Sequence, residues 1–423
     1  MKNRASEYHL LCFLLTLVLF TSCQKKKSAS ETILPRKNYD VVKMANGALV
    51  QADVLSRESS NNALTTAPIP SAYSLKLIVD VAIPSPATTM EDLCMATPEL
   101  ATALPSLKEM LPQVSGKVSS KGEKKDTLFY TTLFENKIKV LERQLSHLGQ
   151  LPSRESLYDC QTILSLTNQA TKNRILLIQA IMNVNADGSD GDRNIPLEKL
   201  SATYQPQTNY RWPKASSRPN PNIPELQQEL SQIEKSLSDE KITPEQKEKL
   251  QQQIFSIQAT LQELERWSFL IGSADPFIVL PKFMLDKKNE GASIGDYAVV
   301  LYQGTLYPAI VGDIGPSSKI GEASLRICRA IDPRSSAEHR PLSSPHVSYF
   351  IFPGSAELPF KAPDYAHWSE RCHELWKNIG GSEQILWHPW EKLEQPWPDP
   401  CSQEQVQLKL KVEVEAAKNI STQ

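Results

Sequence analysis

The 423-residue chain has almost no net charge, no apolar run long enough to cross a bilayer comfortably, and few, scattered cysteines. Its 46 Lys and Arg against 48 Asp and Glu leave a formal charge of −2, and no long basic cluster stands outside the N-terminal region, which excludes the usual footprint of a nucleic-acid partner. Of the seven cysteines, Cys12 and Cys23 belong to the N-terminal region. The others, Cys94, Cys160, Cys328, Cys372 and Cys401, show neither metal-ligand spacing nor the density of a disulfide scaffold. Cys160 and Cys328 sit inside apolar patterns and read as buried thiols. His367, His373 and His388 also lack a tight metal spacing, so no metal and no cofactor is expected. Internal repeats and low-complexity blocks are missing as well.

What is present is enough apolar material, 40% of the residues, for the buried cores of two or three domains. Lys2 and Arg4 precede the apolar stretch Leu10 to Phe20, the pattern of a signal-peptide core over residues 1–22. Thr21-Ser22-Cys23 then resembles the lipobox of bacterial lipoproteins, which implies cleavage before Cys23, a lipid on that residue and a place in the bacterial cell envelope, anchored to a membrane. Residues 23–40, rich in Lys and Ser, read as a tether.

Residues 41–172 read as a mixed segment followed by a helical lobe. The clearest strand is Tyr73 to Ala82. Leu128, Leu133, Ile138, Leu141, Leu145 and Leu148 fall near one helical face, and Leu157, Ile163, Leu164, Leu166 and Leu177 are expected to continue in helix beyond Pro152. A barrel-like domain is expected over 173–361, interrupted at 223–267 by two amphipathic helices that form an antiparallel hairpin. Thr243 and Pro244 have the types suited to the cap and first turn of the second helix. Residues 362–423 form a Trp- and Pro-rich extension expected to wrap the barrel.

Three segments within that domain carry possible chemistry. Asn185, Asp187, Ser189, Asp190 and Asp192 form an oxygen-rich, glycine-containing loop that would suit a hard cation, although Asx and Gly turns are dense in such residues for conformational reasons alone. Alternatively, Asp187 or Asp190 lies in a substrate groove. Tyr204 to Lys214 combines aromatics with Arg211 and Lys214, so Tyr210 or Trp212 could stack on a sugar ring, with loop packing as the competing reading. The third segment is the most informative: β-rich runs at 296–302 and 306–311 read as a hairpin that delivers Asp313 to a strand end. Gly312, Gly315 and Pro316 turn the chain, and a helix is expected from Ile320 to Ala330 with Glu322 in its first turn. Both carboxylates would then face one edge, with Lys319 as a nearby charge. The plainer alternative is that Asp313 caps the turn and Glu322 complements a helix dipole.

The motif Ile320-Gly-Glu-Ala-Ser324, the later strand Val347 to Ser355 ending Phe-Pro-Gly-Ser, the segment Asn185 to Asp192 with its Asp-Gly-Ser and the strand Phe277 to Pro281 resemble fungal chitosanases of glycoside hydrolase family 75. The resemblance covers residues 176–355 as ordered blocks. It implies an endo-acting hydrolase of β-1,4-linked glucosamine-containing polysaccharide with Asp313 and Glu322 as its two essential carboxylates. Asp187, Tyr210, Trp212 and Lys319 are its candidate substrate contacts. The Asp-x-Gly-Pro turn also looks like the double-psi barrel of rare-lipoprotein-A-type lytic transglycosylases, which points to peptidoglycan. The expected architecture is α+β: a double-psi-like β-barrel, an N-terminal helical lobe and the inserted hairpin. Glycoside hydrolysis at the envelope is the leading function; a lytic transglycosylase and a non-catalytic lipoprotein that binds glycan or a partner are the alternatives.

Overall fold

A computed structural model describes residues 49–55, 74–80, 86–93, 98–111, 125–146, 158, 162–193, 195, 201, 203–238, 242–285 and 291–391. The expected signal peptide, Cys23 and the tether lie outside these residues, as do Cys94, Cys160, Trp397 and Cys401. Among the described residues no helix is long and apolar enough to cross a membrane.

In chain order, β1 (Leu49–Leu55) pairs antiparallel with β2 (Ser74–Asp80), within the strand expected at 73–82. Three helices follow: α1 (Pro98–Ala103), α2 (Leu107–Met110) and the long α3 (Lys125–Ser146). Next come β3 (Ile163–Thr167), β4 (Arg174–Asn185) and the short β5 (Arg211–Pro213). The helices α4 (Ile223–Leu237) and α5 (Pro244–Arg266) lead into β6 (Trp267–Phe269) and β7 (Phe277–Pro281). The chain continues through β8 (Tyr297–Tyr302), β9 (Thr305–Gly315), β10 (Glu322–Ser324), α6 (Leu325–Ile331), β11 (Leu342–Ile351), α7 (Tyr365–Asn378) and β12 (Leu386–Trp387).

Six strands close on themselves in the order β10-β7-β9-β8-β11-β4, with β4 returning to β10 through a parallel pairing. The fold is therefore α+β around a closed barrel, as expected. β3 extends the sheet from β4, and β12 lies parallel to β9. The β8–β9 hairpin turns through Gln303 and Gly304, both at positive φ, the backbone that matches the right-handed twist of flanking strands.

Alternation along the strands divides the apolar side chains between two clusters. Ile178, Ala180, Ile278, Val300, Ala309, Val311, Ala323 and Tyr349 pack in one, which draws on all six barrel strands. Leu177, Val279, Val299, Ile310 and Phe350 pack in the other, together with Trp368, Cys372 and Trp376 of α7 and Leu100, Leu104 and Leu107 around α1 and α2. A helix about 10–12 Å across does not fit within so small a barrel, so the face covered by α7 is the outer one and the first cluster fills the lumen.

Two expectations are corrected here. Ile163 to Leu166 and Leu177 are strand rather than helix: the continuous apolar run in β4 is buried on both faces, and a run of that kind carries no period that separates strand from helix. Glu322 is likewise in a strand, β10, and the helix begins only at Leu325, where Ser324 Oγ accepts a hydrogen bond from the Ile327 N–H. The expected boundary at 172 also falls between two paired strands, β3 and β4.

The inserted hairpin is present. β5 and β6 form its antiparallel stem, and Thr243 with Gln246 makes a capping box at the start of α5, with Pro244 in the first turn. Cys328 is a buried free thiol, as expected, and Cys372 is another.

Candidate active site

The site is built around a break in register. β7 and β9 run parallel, with Ile278 opposite Val311 but Val279 opposite Asp313, so Gly312 is the extra residue of a bulge. In an unbroken strand Asp313 would share a face with Val311 and Ala309 and point into the apolar lumen. The bulge moves it to the face of Val279, outside the barrel. Gly312 suits the position because a Cβ there would lie 2.7 Å from Phe277 Cβ, and its carbonyl accepts the Tyr210 N–H at 2.8 Å.

Val279 in turn pairs with Glu322, so Asp313 and Glu322 stand on one face with a single strand between them. Two inter-strand spacings place their Cα atoms about 10 Å apart. Asp313 is only 7% exposed. Its Oδ1 accepts the Asn209 backbone N–H at 2.9 Å, while Asn209 Oδ1 accepts the N–H of Ile314 at 3.2 Å. Burial pushes the Asp313 carboxyl up to about 7; the N–H groups of Ile314 and Asn209 oppose the rise, and the negative Asp187 and Glu322 add to it.

Asp187 completes an acidic trio. Asn185 Nδ2 donates to Asp187 Oδ2 at 2.9 Å and to Glu322 Oε1 at 3.3 Å, bridging the two carboxylates. Asp187 Oδ1 also accepts the Gln205 N–H at 2.8 Å. Burial raises the Asp187 pKa, against these hydrogen bonds and the positive charge of Lys319. Lys319 itself is exposed on the β9–β10 connection.

The other acids of this loop have partners elsewhere. Asp190 is buried and ion-paired with Arg193, which also pairs with Asp275. Asp192 accepts the N–H groups of Ala215 and Ser216. These carboxylates therefore do not converge on the cation site considered from the sequence, and among the described residues no cluster of His, Cys, Asp and Glu is arranged to hold a metal.

The expectation that Tyr210 or Trp212 stacks on a sugar is corrected. Each is 6% exposed. The Tyr210 ring stacks on Phe360 and its hydroxyl donates to the Lys361 carbonyl, while Trp212 lies beneath Arg193. Alternation along β5 turns Arg211, between them, outward instead. Beside Asp313 the surface opens into a groove of about 330 Å³, lined by Gln205, Gln207, Thr208, Asn209, Arg211, Glu263, Phe269 and Ile314. Arg211 lies over the Trp267 ring and is ion-paired with Glu263, in the last turn of α5.

Sequence reasoning offered Asn185 only as an oxygen ligand for a cation, and missed Asn209 and Glu263. Asn185 stood in the quoted Asp-Gly-Ser block, but its bridge to Glu322 spans 137 residues. Asn209 reaches Asp313 through its backbone, which no side-chain motif records. Residues 182–380 match the family described as fungal chitosanase of glycosyl hydrolase group 75. A comparison with curated proteins found no match.

Proposed function

We propose that this chain, whose residues 182–380 are a group 75 glycosyl hydrolase domain and mark it as a chitosanase-like glycoside hydrolase, cleaves β-1,4 bonds of a glucosamine-containing polysaccharide with Asp313 as acid and Glu322 as base. The observation that carries this reading is the placement of both carboxyl groups on the outer barrel face, with Asp313 buried enough to keep its proton near neutral pH. Protonated Asp313 donates to the leaving glycosidic oxygen. Glu322 then takes a proton from the water that attacks the anomeric carbon on the opposite side. Asp187, joined to Glu322 through Asn185, holds negative charge beside the oxocarbenium-like transition state, and the acidic trio attracts the ammonium groups of deacetylated sugars.

Two carboxylates a full strand apart suit inversion, which needs about 6.5–9.5 Å between them, better than retention at about 5–5.5 Å. In an NMR assay of fresh hydrolysate, the first product from a β-linked substrate is therefore the α-anomer. Appearance of the β-anomer first would reject the acid and base roles.

The decisive experiment compares the full chain with Asp313→Asn and Glu322→Gln on soluble chitosan and on peptidoglycan. Each variant is expected to lose about 10²–10⁴-fold in kcat. Unchanged turnover would sink the assignment, and anhydro-sugar ends in place of reducing ends would indicate a lytic transglycosylase. The site is further proposed to work at a bacterial cell envelope, held there by lipid on Cys23, a reading supported by the apolar stretch and the Ser22-Cys23 sequence. In a bacterial host Cys23→Ala should move the protein from the membrane to the soluble fraction.

A further inference from the structure

The helix α5 uses one side to close the inserted hairpin. Leu250, Ile254, Ile257, Leu261 and Leu264 recur at spacings of three and four and form its apolar side; Ile257 and Leu264 are buried, the others half-buried, and α4 and α5 pack together. The opposite side of α5 is open to solvent and holds a second stripe. At 3.6 residues per turn, Glu248, Gln252, Phe255, Ala259, Gln262 and Arg266 fall within one narrow arc of the helix, and all six are exposed. Their alternation of fours and threes is the spacing of a coiled-coil seam.

Two properties set this stripe apart from an ordinary solvated helix face. From Leu250 to Gln262 α5 carries no charged residue, whereas the outward face of a surface helix is normally charged. At the centre of the stripe Phe255 is 75% exposed, on a helix rather than a loop. A lone exposed ring would need no explanation. Here the residues around it are also ordered so that the stripe matches itself.

Laid antiparallel on a second copy about a two-fold axis at the level of Ile257, the stripe pairs Phe255 with Ala259, Gln252 with Gln262 and Glu248 with Arg266. Each large side chain then meets a small one, each amide meets an amide, and each end brings opposite charges together. A parallel alignment would instead set Phe255, Glu248 and Arg266 against their own kind. Within one chain Glu248 and Arg266 cannot meet, because the helix between them is about 27 Å long.

We propose that α5 is a homodimer interface, in which the exposed stripe of one copy packs antiparallel on that of a second copy. The occupant is a second copy because an isologous contact demands self-matching, and the order Glu-Gln-Phe-Ala-Gln-Arg supplies it at every position of the stripe. One helix per copy makes a small contact, at the low end of specific interfaces, so the dimer is weak, with micromolar affinity. This interface goes beyond the hydrolase reading and does not depend on it.

The test is sedimentation equilibrium of the full chain, in mild detergent that keeps its N-terminal apolar stretch dispersed. The parent should pass from monomer to dimer between about 1 and 100 µM. Phe255→Glu should leave only monomer. Glu248→Arg and Arg266→Glu should each raise the dimer Kd about tenfold or more, because each sets two like-charged contacts in the dimer. Combining the two exchanges the signs and should restore the parent Kd, which no effect on a single chain would do. In oxidising buffer Gln252→Cys together with Gln262→Cys should give a disulfide-linked dimer, since about 15 Å of helix keeps the two thiols of one chain apart, and neither substitution alone should cross-link more than the parent. A parent that stays monomeric at about 100 µM, a dimer indifferent to the charge reversals, a double reversal as weak as either single one, or cross-linking no greater in the paired cysteine variant would overturn the interface.

Discussion

Asp313 shows how a single side chain trades stability for chemistry. Its carboxyl rises from the ordinary value of 3.8 to about 7, chiefly through burial. Below about pH 4 it is protonated whether the chain is folded or not. Between about 4 and 7 the folded protein keeps a proton that the unfolded chain has released, so this group's contribution to stability falls as pH rises through that window and stays lost above it. Asp313→Asn keeps an oxygen for the Asn209 N–H and removes the charge. The variant should be the more stable protein at pH 8, by on the order of 4 kcal/mol, and about equal to the parent at pH 3.5, measured by urea unfolding. A variant less stable than the parent at pH 8 would contradict the burial argument. The same proton sets the activity profile: kcat/KM should fall as pH rises through about 7, where the acid is lost.

The bulge in β9 and the short strand β10 do at the element scale what no single residue does. Gly312 adds one residue to β9, turns Asp313 out of the lumen and brings it into line with Val279 and Glu322. Gly312→Ala would drive a methyl against Phe277 and Leu270. The expected cost is about 1–3 kcal/mol with a loss of activity larger than the loss of fold, seen as a lowered kcat in protein that still melts cooperatively. A variant with full kcat would show that the bulge does not aim Asp313. The hairpin β8–β9 was legible in the sequence because its alternation and turn residues are local signals. The strand character of Glu322 was not: three residues that pair with β4 and β7 are strand by tertiary contact alone, and Gly-Glu-Ala-Ser before an apolar run reads equally well as a helix start. The role expected for Glu322 beside a helix N-terminus goes with that reading, and its bond to Asn185 takes its place.

For the molecule as a whole, the domain that carries the chemistry does not stand apart from what precedes it. β4 enters the barrel at Arg174, β3 extends its sheet, and Leu100, Leu104 and Leu107 pack with Leu177, Val299 and Trp376 in one outer cluster. A fragment limited to residues 182–380 would lack most of β4 and expose that cluster. It is expected to be insoluble or molten by near-ultraviolet circular dichroism, whereas a chain beginning at residue 86 should melt in one transition and retain hydrolysis. Cooperative folding of the short fragment would refute this. Within the intact protein Leu104→Ala should cost about 2–5 kcal/mol although it lies far along the chain from either carboxylate.

The amino-acid sequence by itself determined the α+β character, the inserted hairpin with Thr243 and Pro244 at the start of its second helix, the pairing of β8 with β9, and Asp313 and Glu322 as candidates, because each rests on periodicity, turn chemistry or a contiguous motif. Only the tertiary structure decided the rest. Tyr210 and Trp212 face inward and Arg211 outward because alternation has a phase that the core sets, not the chain. Asp187 joins Glu322 and Asn209 holds Asp313 because barrel closure brings together residues more than a hundred positions apart, while Glu263 meets Arg211 because the β5–β6 stem pairs the two ends of the inserted hairpin; the burial that raises Asp313 exists only once these parts have closed together.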